Sequence, residues 1–239
     1  GIRDDLVTGV QTCALPISVK KYAGRCSTIA VTNSTKSDVE GLCDFHVPMM
    51  AEQEEGGVAC RSFAHTLGLH LALQEELVGG VSASRSLAQA ADSCDDLLER
   101  QSEWLPTMKA LLLGPDGTAV VGPVRRLSSA QQSALMLREG PRLQAFACET
   151  GDWSHIDVYL TKTTDYRMLL LPGSAWDAQL LEWCSMRNST VVALGADVPD
   201  AEFVLRFHGD EDDDVRLLSE SLVCEVIAQN EWARLTSGD

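Results

Sequence analysis

The sequence predicts an α/β protein of the three-layer αβα kind, a parallel sheet with helices on both faces, present as one complete unit and one truncated unit. Three observations predict it. From Thr118 to the C-terminus, short runs rich in Val, Leu and Ala alternate with segments of helical periodicity, the grammar of strands joined by crossover helices. Nearer the start, two similar runs precede a long helix without Pro. The chain has 239 residues, 45% of them hydrophobic, and a chain of that length buries roughly 70% of its unfolded surface.

Each element follows from local pattern. "STIAVTN" (27–33) is a β-branched run ending in Asn, and "DFHVPM" (44–49) follows after a short segment; both read as buried parallel strands. From Gly57, "GVACRSFAHTLGLHLALQEELVGG" carries apolar residues at spacings of three and four, which is a packed helix. The more polar helical stretch 81–116 reads as a connector, closed by the turn residues Pro115, Asp116 and Gly117. Thereafter come strand 118–122, helix 127–139, strand 144–148, strand 167–171, helix 175–187, strands 190–195 and 202–207, and helix 215–234. Val215, Leu218, Leu222 and Val226 form the core stripe of that last helix. This divides the chain into a partial first domain (19–80), the connector and a complete second domain (117–239). Parallel sheets place ligands outside the carboxyl ends of their strands, so the loops beginning at Gly122, Cys148 and Pro172 are the places to seek chemistry.

Charge and cysteines narrow the function classes. Nineteen Lys and Arg against thirty-five Asp and Glu give a net charge of −16, which repels nucleic acid and anionic membrane surfaces. No apolar run approaches the roughly 18 residues needed to span a bilayer. The eight cysteines stand singly, without CxxC pairs or zinc spacing, which fits free thiols in a reducing cytoplasm. "DEDDD" (210–214) lacks the alternation of a metal loop and precedes a helix, whose positive end favours acids. No metal and no cofactor is expected. Ser154 and Ser174 lie outside any GxSxG context.

The stretch 120–157, "VVGPVRRLSSAQQSALMLREGPRLQAFACETGDWSHID", holds the candidate site residues. On a helix starting at 127, Ser128, Gln132, Met136 and Glu139 share one face, opposite Leu127, Ala130, Ala134 and Leu137. That leaves Glu139 off the core stripe, either on a plain solvated helix end or facing a cleft. "VRRLSS" offers Arg125, Arg126, Ser128 and Ser129 as a grip for phosphate or carboxylate, and two surface arginines would look the same. "GGVACRS" places Val58, Ala59 and Cys60 at a helix N-terminus, which is an anion site or an ordinary capping turn.

Here the chain resembles the sugar isomerase (SIS) domain family, in particular its glucosamine-6-phosphate synthase isomerase branch. In that family a strand ends in Gly, a helix ends "ALKLKE" and a second strand is followed by "GELKHGP"; this chain supplies Gly122, "ALMLRE" ending at Glu139, and "GDWSH" ending at His155. "TIAVTN", "DFHVPM" and "EEGGVACRSFAHTLGL" resemble the family's first-domain pattern, so the resemblance covers about residues 19–235. It implies a flavodoxin-like layered fold, a homodimer, and a sugar-phosphate or amino-sugar-phosphate ligand. It further implies that Glu139 moves a proton between adjacent sugar carbons while His155, often supplied by the neighbouring subunit, assists ring opening. Those residue types suit the task, because a carboxylate carries a proton through an enediol-like intermediate and imidazole exchanges protons near neutral pH.

The departures qualify this. No Lys follows Lys162, so the C-terminal imine-forming lysine of the aminotransferase members has no counterpart. Met136 and Arg138 replace both lysines of "ALKLKE", Cys60 replaces a serine, and no glutaminase region is present. The family's Ser/Thr-rich phosphate loop would lie upstream of Val19. An isomerase and a non-catalytic sugar-phosphate sensor both remain open. The head itself, "GIRDDLVTGVQTCALPIS", resembles a translated sequencing adapter, so native sequence is expected to resume near Val19 of a chain truncated at its N-terminus.

Overall fold

The computed structural model describes residues 15–34, 36–80 and 82–237. Residues 1–14 of the adapter-like head lie outside them, and 15–22 are helical (α1). The chain divides after residue 81 into two compact units.

In the first unit, β1 (Ile29–Thr32) and β2 (Phe45–Pro48) pair in parallel, with Ile29 opposite Phe45 and Val31 opposite Val47. Helix α2 (Arg61–Val78) follows. The strands are parallel as the sequence predicts, but the expectation that both are buried is corrected. Side chains alternate across a sheet, so Ile29, Val31, Phe45 and Val47 fall on one face, and all four are exposed, Phe45 by 60%. Parallel sheets are stable when both faces are covered, and this one has a bare apolar face.

The second unit is built on five parallel strands in the order β4-β3-β5-β6-β7. They are β3 (Thr118–Gly122), β4 (Ala145–Glu149), β5 (Arg167–Leu170), β6 (Thr190–Leu194) and β7 (Phe203–Leu205). Strand β3 is buried at every position, as a central strand covered on both faces must be, which explains its unbroken run of small and β-branched residues. On one face Ala119, Val121, Met168, Leu170 and Val191 pack against Trp153, Leu180 and Cys184. The two last-named belong to α7 (Asp177–Met186), and Trp153 ends the four-residue helix α6 (Thr150–Trp153). The opposite face carries α5 (Leu127–Glu139), which packs on β3, β4 and α9 (Ser221–Ser237). Between α6 and β5 runs a 3-10 segment, Asp157–Lys162. A short α8 (Asp213–Ser219) precedes α9.

Residues 82–112, which read as a connector in the sequence, form α3 (Ala83–Glu99) and α4 (Gln101–Leu112) inside this second unit. Leu97, Trp104, Met108 and Leu112 are fully buried there, and the Trp104 indole donates to the Leu97 carbonyl at 2.9 Å. Helix α3 packs on α8, and α4 packs on β5 and β6.

Because the bare face of β1 and β2 exposes Ile29, Val31, Phe45 and Val47, it is expected to drive self-association. Phe45→Lys should lower light scattering at a given protein concentration while leaving the unfolding midpoint of the second unit unchanged.

Candidate functional site

The strand order reverses at β3, with β4 on one side and β5 on the other. This is the switch point at which open α/β sheets place ligands, beyond the carboxyl ends of the strands. The loops after β3 and β5 meet there through one side chain. Arg126 and Glu220 are both fully buried and pair at 2.8 Å. The Arg126 guanidinium also donates to the Pro172 carbonyl and lies 3.2 Å from the Asp213 carboxylate. Gly173 completes the arrangement at φ +140°, where a Cβ would come 2.7 Å from the Arg126 Nη2. Side chains rarely adopt that φ, so the position favours glycine.

The sequence places Arg125, Arg126, Ser128 and Ser129 at the mouth of this sheet, and the structure gives them other tasks. Arg126 lies beneath the loops, spent on Glu220 and Pro172, so it does not reach toward solvent. Arg125 pairs with Asp213 at 2.7 Å and with Asp214. Ser129 is buried and its hydroxyl donates to the Leu217 carbonyl at 3.2 Å. Ser128 is half-buried on the first turn of α5, and Gly122 is buried against Leu171.

Helix N-termini hold anions through their free N–H groups, and among the described residues the protein's own carboxylates take such groups at three helix starts and at the loop before a fourth helix. Glu54 accepts from the Ser62 N–H at 2.7 Å, the Ser62 hydroxyl at 2.8 Å and the Arg61 N–H at 3.3 Å. It therefore occupies the start of α2, where Val58, Ala59 and Cys60 were expected to receive a ligand. Desolvation opposes its charge, but those hydrogen bonds outweigh it and its pKa is lowered. Glu149 accepts from Gly151 and Asp152 N–H groups at 2.7 and 3.2 Å. Asp177 accepts from Gly173 and Ser174 at 2.6 and 3.0 Å, and burial raises its pKa. Asp212 caps α8 through Asp214 at 2.8 Å and Val215 at 3.4 Å. Within the acidic run 210–214, Asp210 pairs with Arg206 at 2.6 Å and Asp213 and Asp214 pair with Arg125. Among the described residues no cluster of His, Cys, Asp or Glu suits a metal ion.

Glu139 and His155 are both exposed. Glu139 is the last residue of α5, which begins at the carboxyl edge of the sheet and runs back to the amino edge. His155 follows β4 and α6, at the carboxyl edge. Within one chain the two are thus separated by at least the length of β4, about 13 Å for five residues. The polar face drawn for α5 is also corrected. Gln132 and Met136 are buried, because α9 covers the side of the helix that the sheet does not.

Comparison with solved structures agrees with this architecture. The C-terminal domain of glucosamine-fructose-6-phosphate aminotransferase from Francisella tularensis superposes with a TM-score of 0.74 at 14% identity, over 93% of this chain and 67% of that one. The fold is the sugar isomerase (SIS) fold. The same SIS fold relates the chain to tagatose-6-phosphate ketose/aldose isomerase from Escherichia coli (TM-score 0.68, 17% identity, 88% and 61% covered). Glucosamine-6-phosphate deaminase from Thermotoga maritima is a further neighbour (0.61, 16%, 87% and 61%). The chain spans about two thirds of the length of these SIS structures. No protein-family model and no curated protein matches the sequence.

Burial, the largest influence, pushes the Glu220 carboxyl up to about 7 against the pull of Arg126. A carboxyl whose folded value is raised favours the fold most at acid pH, and that contribution is lost as pH rises through about 7. Glu220→Gln should therefore flatten the fall in unfolding free energy between pH 4.5, the ordinary value, and about pH 7. Glu220→Ala should cost about 3–5 kcal/mol in urea unfolding, because it strands the Arg126 charge in the interior.

Proposed function

We propose that the chain is part of a longer SIS protein that binds a phosphorylated sugar or amino sugar and interconverts its aldose and ketose forms. The observation that carries this reading is the shared fold with phosphosugar enzymes over most of the chain. The spacing from Glu139 to His155, which follows the family pattern, supports it. The bare face of β1 and β2 supports the truncation at the N-terminus, since that face requires covering structure.

In this reading Glu139 carries a proton between adjacent carbons of the open-chain sugar and His155 exchanges protons with the ring oxygen. The two stand at opposite edges of one sheet, so the imidazole serving a given Glu139 comes from a second copy in a homodimer, working in a reducing cytoplasm. A symmetric dimer would form two such composite sites. The second reading, a sensor that binds sugar phosphate without turnover, is favoured by the replacement of both lysines of the family pattern by Met136 and Arg138 and by the absence of any Lys after Lys162.

NMR exchange of a hexose or amino-sugar phosphate on the full-length parent separates the two. For the isomerase, Glu139→Gln should slow exchange by about 10²–10⁴-fold. Mixed dimers of Glu139→Gln and His155→Asn chains should recover activity that neither possesses alone. Saturable binding with no exchange would establish the sensor instead, and exchange that survives Glu139→Gln would remove that residue from the chemistry.

A further inference from the structure

At the amino edge of the second unit's sheet, away from the switch point, lies a cavity of about 580 Å³. That size suits a small organic ligand. Its walls include three arginines, Arg138, Arg142 and Arg167, against two aspartates, Asp116 and Asp165. Such a cationic excess stands out in a chain of net charge −16.

The partners of these groups show which charges are available. Asp165 accepts from Arg167 Nε at 3.0 Å and Nη2 at 2.8 Å, so the two neutralise one another. The remaining Arg167 Nη1 donates to the Ala110 and Leu113 carbonyls at 2.9 and 3.1 Å, making this residue part of the wall. Asp116 accepts the Asp165 N–H at 2.7 Å. Arg138 donates only from Nε, at 3.3 Å, to the Ala134 carbonyl. Among the described residues neither Arg138 nor Arg142 pairs with a carboxylate. Two guanidinium groups therefore face the cavity with their donor forks uncommitted, the arrangement that grips a phosphate dianion.

Arg142 holds its place at a conformational cost. Its φ is +60°, in the left-handed region, directly after Gly140 and Pro141 and before Leu143, whose N–H bonds back to the Leu137 carbonyl at 2.9 Å. Glycine would fit that turn without strain, yet an arginine stands there. Phe146 and Tyr166 supply an aromatic wall, with ring centroids 6.3 Å apart. An aromatic wall beside two free guanidinium groups matches a small molecule with a ring at one end and a phosphate at the other.

We propose that this cavity binds a ring-bearing phosphate monoester, held by Arg138 and Arg142 and packed against Phe146 and Tyr166. The site uses neither Glu139 nor His155 and stands independently of the isomerase reading. Titration of the full chain with phenyl phosphate at low salt, followed by calorimetry, tests it. Saturable binding is expected, weakened about tenfold or more by Arg138→Gln and by Arg142→Gly, while phenol binds more weakly than phenyl phosphate. The Arg142→Gly chain should unfold at the same midpoint as the parent or above it, since glycine relieves the left-handed residue; lost binding then cannot come from lost fold. Undetectable phenyl phosphate binding, equal binding by both variants, or phenol binding as tightly as its phosphate would overturn the proposal.

Discussion

The second unit depends on one buried ion pair. Arg126 enters the molecule from the loop after β3 and meets Glu220 at the joint between α8 and α9, and both are removed from water. Removing a guanidinium and a carboxylate from water is costly, and it is tolerated where geometry is good and the remaining donors find acceptors. Here the Pro172 carbonyl supplies one such acceptor, and Arg216 donates to the same oxygen at 3.3 Å. Three parts distant in sequence are thereby fixed at the switch point: the loop after β3, the loop after β5 and the C-terminal helices.

The surplus of acidic residues is also put to structural use. In the sequence, a net charge of −16 reads as a statement about which partners the protein avoids. In the structure, Glu54, Glu149, Asp177 and Asp212 cap backbone N–H groups at the ends of strands and the starts of helices. Capping of this kind stabilises a helix start by about 1 kcal/mol. It also leaves those N–H groups committed within the chain. Cationic groups without carboxylate partners are found instead at the opposite edge of the sheet.

Much of the fold was legible because its punctuation is local. Gly117 and Gly122 bracket β3, and Gly140 with Pro141 ends α5, so the predicted bounds 118–122 and 127–139 coincide with the observed elements. Helix α6 was missed because four residues are too few to show a period. The burial of Ile29 and Phe45 was misjudged because apolar composition reports what a strand requires and not what lies on it. The site was less legible than the fold. Arg126 and Glu220 are 94 residues apart, and no local pattern distinguishes a buried arginine from the exposed one beside it. By contrast, Asp212 preceding a helix is a capping signal that the sequence does carry.

Arg167 shows how the helices before the sheet are bound to it. As the first residue of β5, it reaches back to the carbonyl oxygens at the C-terminal end of α4, and its side chain fills the space over Gly114, where a Cβ would come 2.4 Å from Nε. The end of that helix and the start of the central strand therefore open and close together. Amide protons in α4 should exchange with solvent as slowly as those of β5, in the same cooperative block, and a protease should find no separately cleavable linker between residues 82 and 112.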